Sequence, residues 1–124
     1  VTTEQADFLG RITGQKKHQL YASHDVYVLP SYTEGCPNSV LEALASGLFC
    51  VTTPVGALKD LINTNNGVII PVKNVIELYK TFLMILENKA LLKNRKDISG
   101  ESIDKFDIRN ICEDFNTAYN KLLN

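Results

Sequence analysis

Two glutamates separated by seven residues, Glu34 and Glu42, mark the stretch best equipped for chemistry. It runs Leu29–Pro30–Ser31–Tyr32–Thr33–Glu34–Gly35–Cys36–Pro37–Asn38–Ser39–Val40–Leu41–Glu42–Ala43–Leu44–Ala45–Ser46–Gly47. An apolar run ends in a loop that carries a carboxylate, then a glycine, then a proline suited to entering a helix. Gly35 lets a ligand come close to the backbone. The first N–H groups of a helix lack intrahelical partners and carry the positive end of its dipole. Such an end accepts an anion, and a pyrophosphate is the natural guest. The hydroxyls and carboxylates around it suit sugar hydroxyls as neighbouring contacts.

Plainer roles exist for the same residues. Ser39–x–x–Glu42 has the spacing of a capping box, which would stabilise the helix start by roughly 0.5–2 kcal/mol. Glu34 could be a solvated loop acid. Spacing alone leaves both roles open. His18 and His24 have no partners at metal-ligand spacing and are expected to be structural or surface residues. Cys36 has no base beside it in sequence, so a nucleophilic thiol is not expected.

The elements that must position this loop follow from periodicity. Ala6 to Gly10 is a short apolar run, read as a strand, and Lys16 to Ser23 offers one or two helical turns with Leu20 and Tyr21 as apolar contacts. Asp25 to Pro30 is β-branched and aromatic, a buried strand closed by proline. Asn38 to Ser46 places apolar residues at 40, 41, 44 and 45, a helical stripe, with Gly47 as its stop. Leu48 to Thr53 and Gly67 to Pro71 read as further strands. Val75 to Glu87 reads as a long amphipathic helix whose apolar positions pack a core. After a polar stretch at Lys93 to Glu101, helical periodicity resumes over 108–123, a terminal helix expected to pack on the sheet or on a further domain. Strands alternating with helices predict an α/β domain over residues 1–124, a small parallel sheet flanked by helices in Rossmann-like fashion. Ligands in such sheets bind at the carboxyl ends of the strands.

The chain has 124 residues, 13 basic and 14 acidic, with a formal net charge of -1. One domain with a real core fits that length, and nothing in the charge balance points to nucleic acid. Three cysteines without a C-x-x-C pair favour a reducing compartment. No segment approaches the ~20 apolar residues of a membrane span. The first residue is Val1 rather than Met, and the opening Val1–Thr2–Thr3–Glu4–Gln5 reads as the start of a piece cut from a longer chain.

The stretch resembles the donor-site signature of family 4 (group 1) retaining glycosyltransferases of the GT-B architecture. Their mark is a Glu, seven residues and a second Glu in a Pro-Ser…Glu-Gly-x-Pro-x-x-x-x-Glu-Ala-x-Ala-x-Gly frame, which this chain follows nearly position for position. Phe8–Leu9–Gly10 is similar to the family's Phe-x-Gly strand, and His24–Asp25–Val26–Tyr27–Val28–Leu29–Pro30–Ser31 to its next strand. Val51–Thr52–Thr53–Pro54–Val55–Gly56 and Gly67–Val68–Ile69–Ile70–Pro71 follow in the family's order, so the likeness spans roughly residues 6–90.

The resemblance implies a C-terminal donor-binding half of GT-B whose parent moves a hexose, with retention, from a UDP- or GDP-sugar to a glycan or lipid-linked acceptor. It implies that Glu34 contacts the hexose and that Gly35, Cys36, Pro37 and Asn38 line it. Backbone N–H groups near Ser39, Val40 and Leu41 would hold the pyrophosphate, and Glu42 the ribose. Arg11 and Ile12 fall where the family places the base. No D-x-D occurs in the sequence, so neither a metal nor any other cofactor is expected. The implied setting is bacterial cell-surface polysaccharide or lipopolysaccharide assembly, in the cytoplasm at the inner face of the membrane, with peripheral association of the parent.

One departure is Gly56–Ala57–Leu58–Lys59–Asp60, where the family often has Gly-Gly-x-x-Glu. The family's phosphate-gripping Arg and Lys and its acceptor domain lie upstream of the Phe-x-Gly strand, so residues 1–124 alone are expected to bind donor weakly and transfer nothing. Two rival functions stand beside this one: a glycoside hydrolase using both glutamates, and a non-catalytic nucleotide-sugar-binding or assembly module.

Overall fold

The structure is a computed structural model and describes residues 6–92 and 103–123. The polar stretch at 93–101 and the opening residues 1–5 lie outside that range. Three short strands, β1 (Val26–Leu29), β2 (Phe49–Thr52) and β3 (Gly67–Ile69), form one parallel sheet in the order β1-β2-β3. Val26 pairs with Phe49 and Leu29 with Thr52, while Cys50 pairs with Gly67 and Thr52 with Ile69. The helices are α1 (Gly14–Ser23), α2 (Asn38–Ala45), α3 (Leu58–Leu61), α4 (Val75–Glu87) and α5 (Ile108–Leu123). Short 3-10 turns occupy Lys89–Leu92 and Asp104–Phe106.

The sheet is covered on both faces, which is why its central strand is apolar at nearly every position. All four residues of β2 are buried. Cys50 points into a cluster with Val40, Ala43, Leu44, Leu58 and Leu61 from α2 and α3, joined by Tyr27 and Leu29 of β1. Phe49 and Val51 point the other way, towards Ile70, Ile85 and the half-buried Val26, Val28 and Leu78. The period of two along β1 and β2 therefore sorts the core into two layers.

Helix α2 buries Val40, Ala43 and Leu44. Ala43 thus takes the place expected for Ala45, which is exposed. Gly47 stops the helix at φ 76°. Its N–H donates to the Leu44 carbonyl (2.9 Å) and that of Leu48 to the Ala43 carbonyl (3.0 Å), the paired bonds of a Schellman ending.

Two expectations are corrected. Residues 6–10 belong to no strand, and Phe8 is 90% exposed. An isolated apolar run has no ladder to join, since β1 pairs with β2 alone. Helix α4 has the expected bounds, yet only Thr81 and Ile85 are buried on it. The three-stranded sheet is narrow and meets one stripe, Leu78, Thr81 and Ile85, while Val75, Ile76, Tyr79 and Leu86 stay exposed. Of the two docking places expected for α5, the sheet is not used, because Ile108, Ile111, Phe115, Tyr119 and Leu122 are all exposed.

Candidate functional site

The loop from Pro30 to Pro37 leaves the carboxyl end of β1 and runs into α2. Its shape is fixed by a few bonds. The Ser31 hydroxyl donates to Glu34 Oε1 at 2.7 Å, and the Thr53 hydroxyl, just past β2, donates to the Ser31 carbonyl at 2.6 Å. The Ala57 N–H donates to the Gly35 carbonyl at 2.8 Å. Gly56 lies against this same peptide, where a Cβ would overlap the carbonyl oxygens of Glu34 and Gly35. The segment after β2 is therefore the floor on which the Glu34 loop rests. On the other side of the loop there is room, since a Cβ added to Gly35 would meet nothing within 4 Å.

The helix start differs from the expectation in one respect. Pro37 is the N-cap residue of α2 and no side chain caps it. The N–H groups of Val40 and Leu41 both point at the Pro37 carbonyl, at 3.0 and 3.5 Å. Val40 is also fully buried, so its side chain serves the core. The donors left without a partner among the described residues are the N–H groups of Asn38 and Ser39. The unpartnered N–H groups thus begin one residue earlier than the expected trio of Ser39, Val40 and Leu41.

The capping box does not form. Ser39 lies inside the helix rather than at its cap, so its hydroxyl is misplaced for the motif. Glu42 turns instead towards α1. Lys17 Nζ lies 2.8 Å from both Oε1 and Oε2 of Glu42. The Tyr21 hydroxyl lies 3.5 Å from Glu42 Oε2 and 3.4 Å from the Ser39 carbonyl. Burial, then the neighbouring Tyr27 and Glu42, pushes the Tyr21 hydroxyl up to about 12, so it stays protonated and donates.

Lys17, the Tyr21 hydroxyl, Ser31, Thr53 and Gly56 were not identified from the sequence. A signal existed for the first two: positions i and i+4 of one helix share a face. In sequence, Tyr21 reads only as an apolar contact. Ser31, three residues before Glu34, was legible only as part of the frame.

The other expected residues lie as follows. Cys36 and Asn38 are exposed and Pro37 half-buried at the loop's open side, while Arg11 is exposed and Ile12 half-buried just before α1. Glu34 and Leu41 are half-buried. His24 has a structural role, its Nδ1 lying 2.7 Å from the Leu20 carbonyl at the end of α1. Cys36, Cys50 and Cys112 are unpaired, and Cys50 is in the core. Beside Glu42, a recess of about 290 Å³ is closed by Leu41, Ala45 and the Ile103–Asp107 segment. A second hollow, about 150 Å³, lies over the strand ends between Tyr32, Thr53 and Lys73, where the Lys73 ammonium sits 5.3 Å from the Tyr32 ring centre. No described helix is long and apolar enough to cross a membrane.

A small parallel sheet with a carboxylate-bearing loop and a helix N-terminus at its strand ends is a Rossmann-like arrangement. The family model for glycosyl transferases group 1 matches residues 2–88, and the chain belongs to that family. It is similar to the N,N'-diacetylbacillosaminyl-diphospho-undecaprenol alpha-1,3-N-acetylgalactosaminyltransferase of Campylobacter jejuni, 29% identical over 106 residues, 85% of this chain and 28% of that protein. It is also similar to the UDP-Gal:alpha-D-GlcNAc-diphosphoundecaprenol alpha-1,3-galactosyltransferase of Escherichia coli, 28% identical over 85 residues, 68% of this chain and 22% of that one. Among solved structures, sucrose-phosphate synthase from Thermosynechococcus elongatus matches with a TM-score of 0.81 at 24% identity, covering 98% of this chain and 31% of that one. That likeness shows the fold. The chain spans under a third of the length of each of these proteins.

Proposed function

We propose that this chain is the donor-binding part of a retaining glycosyltransferase, the C-terminal half of a GT-B enzyme that moves a hexose from a nucleotide-sugar to a glycan or lipid-linked acceptor. The observation that carries this is the support of the Glu34–Gly35 loop. It is held from below by Thr53, Gly56 and Ala57 and is open above Gly35, beside two unpartnered N–H groups. That arrangement holds a carboxylate, a free backbone surface and a positive helix end within one short segment.

In this site Glu34, with one oxygen fixed by Ser31, contacts the hexose hydroxyls with the other. Gly35, Cys36 and Pro37 lie against the sugar. The N–H groups of Asn38 and Ser39 hold the diphosphate, and Glu42 takes the ribose hydroxyls. As the glycosidic bond breaks, negative charge grows on the departing diphosphate, and the fixed helix end stabilises it without having to reorganise. Both relatives' names specify undecaprenol-linked diphosphates, which supports a lipid-linked acceptor and work at the inner face of the membrane. The Escherichia coli relative's name specifies UDP-Gal, which favours a UDP-hexose over a GDP-hexose as donor.

The test is transfer of radiolabelled hexose by the full-length protein from UDP- and GDP-hexoses to an undecaprenyl-diphosphate-linked sugar. The anomeric configuration of the product is then read by NMR. Labelled product with the donor's configuration is expected. Product with the opposite configuration removes retention. Hydrolysis of a preformed glycoside, with no dependence on nucleotide-sugar, replaces the proposal with a glycosidase.

A further inference from the structure

Glu42 is held by two groups from α1 that nothing in the donor-site frame requires. We propose that Lys17 is a positioning residue which, with Tyr21, sets the Glu42 carboxylate to receive a nucleotide's ribose diol. This rests on the assignment of Glu42 to the ribose. The Lys17 ammonium bridges both carboxylate oxygens at 2.8 Å, so it fixes the plane of the group as well as its place. Tyr21, one turn further along α1, brings its hydroxyl to Oε2 at 3.5 Å and to the Ser39 carbonyl at 3.4 Å. That carbonyl belongs to the first turn of α2, whose N–H groups face the diphosphate position. Tyr21 is in turn braced edge-on against Tyr27 of β1, with ring centres 5.9 Å apart. The chain of contacts therefore runs from the sheet through Tyr21 to the ribose contact and the diphosphate contact together.

The stoichiometry of acceptors allows this. A carboxylate offers about four lone-pair sites. Lys17 takes one on each oxygen and Tyr21 a second on Oε2; one site on Oε1 is left for a ribose hydroxyl, and the long 3.5 Å Tyr21 contact can give way to the other. The side chains of Lys17 and Glu42 are 32% and 35% exposed, so the pair lies at the rim, where a ligand can reach it without unfolding anything. A surface ion pair in such a place adds little to stability, typically about 0–1 kcal/mol. Orientation of the carboxylate is the more consequential effect of the contact.

The experiment compares nucleotides with and without the diol. The full-length protein is titrated calorimetrically with UDP and GDP and with their 2′,3′-dideoxy counterparts. Wild type should favour the ribonucleotide by about tenfold or more, the worth of hydrogen bonds to a charged group. In Lys17→Met that preference should fall to about twofold, with the melting temperature nearly unchanged. Lys17→Arg should restore most of it. Lys17→Gln, uncharged but polar, should behave as Lys17→Met and guards against a folding defect peculiar to the apolar variant. An undiminished preference in Lys17→Met and Lys17→Gln overturns the proposal. So does an equal weakening of both nucleotides, which marks an effect of charge on the diphosphate or a structural role. If wild type itself does not distinguish ribose from dideoxyribose, the assignment of Glu42 fails first, and this inference with it.

Discussion

Gly56, at φ 53°, lies so close beneath Gly35 that any side chain there would collide with the Gly35 carbonyl. The two glycines look alike in sequence but answer to different constraints. Gly56 is required by the fold. Gly35 has open space where its side chain would be, so packing does not require it and the proposed sugar contact would.

Their alanine variants should therefore differ in kind. Gly56→Ala should destabilise the chain by about 1–2 kcal/mol from the left-handed backbone alone, with more from the overlap. It should also weaken nucleotide-sugar binding by shifting the Glu34 loop. Gly35→Ala should leave the melting temperature within a few degrees and still reduce affinity about tenfold. Thermal denaturation paired with calorimetric titration separates the two.

Burial sets the alkaline stability. It pushes the Cys50 thiol from 9.0 up to about 12 and, with help from Tyr27 and Glu42, the Tyr21 hydroxyl from 10.0 up to about 12. The folded chain holds these protons more tightly than the unfolded chain does, so their contribution is complete below pH 9 and is lost as pH rises towards 12. Cys50→Ala should flatten the fall in melting temperature between pH 9 and 12, whatever it costs at neutral pH by leaving a cavity. An unchanged alkaline slope in that variant would assign the loss to other groups.

Thr52 is fully buried at the end of β2, and its hydroxyl has no partner among the described residues. A buried hydroxyl without a bond costs about 1–3 kcal/mol relative to a bonded one. Thr52→Val keeps the shape and removes the unmet group, so it should raise stability by about 1 kcal/mol, read by denaturant unfolding. A loss instead would mean that the hydroxyl finds a partner in solution.

Much of this architecture was legible in the sequence because its signals are local. The β-branched run ending at Leu29, the stripe beginning at Val40, the glycine stop at Gly47 and the proline after Thr53 each announce an element within a few residues. What failed was what depends on neighbours. Phe8 and Leu9 read as a strand, but a strand exists only with a partner. Val75 to Leu86 read as core, but a three-stranded sheet covers only one stripe of that helix. At the site, the loop and the helix were visible, whereas the residues that hold them were not. Lys17 reaches Glu42 across 25 positions and Thr53 reaches Ser31 across 22, separations that no periodicity reports. Ser39–x–x–Glu42 satisfies the spacing of a capping box, yet the helix begins two residues too early for it.

Glu42 as a ligand contact, rather than a stabiliser of its helix, is the centre of the proposed site. Its ion pair is about one-third exposed and no cap is lost with it, so Glu42→Ala should lower stability by no more than about 1 kcal/mol. Calorimetric titration of the full-length protein with UDP- and GDP-hexoses, wild type against Glu42→Ala, is the most direct test. The prediction is that wild type binds one of the two nucleotide-sugars and that Glu42→Ala binds it at least about tenfold more weakly at an almost unchanged melting temperature. Equal binding by both proteins, or no binding of either nucleotide-sugar by wild type, would contradict it.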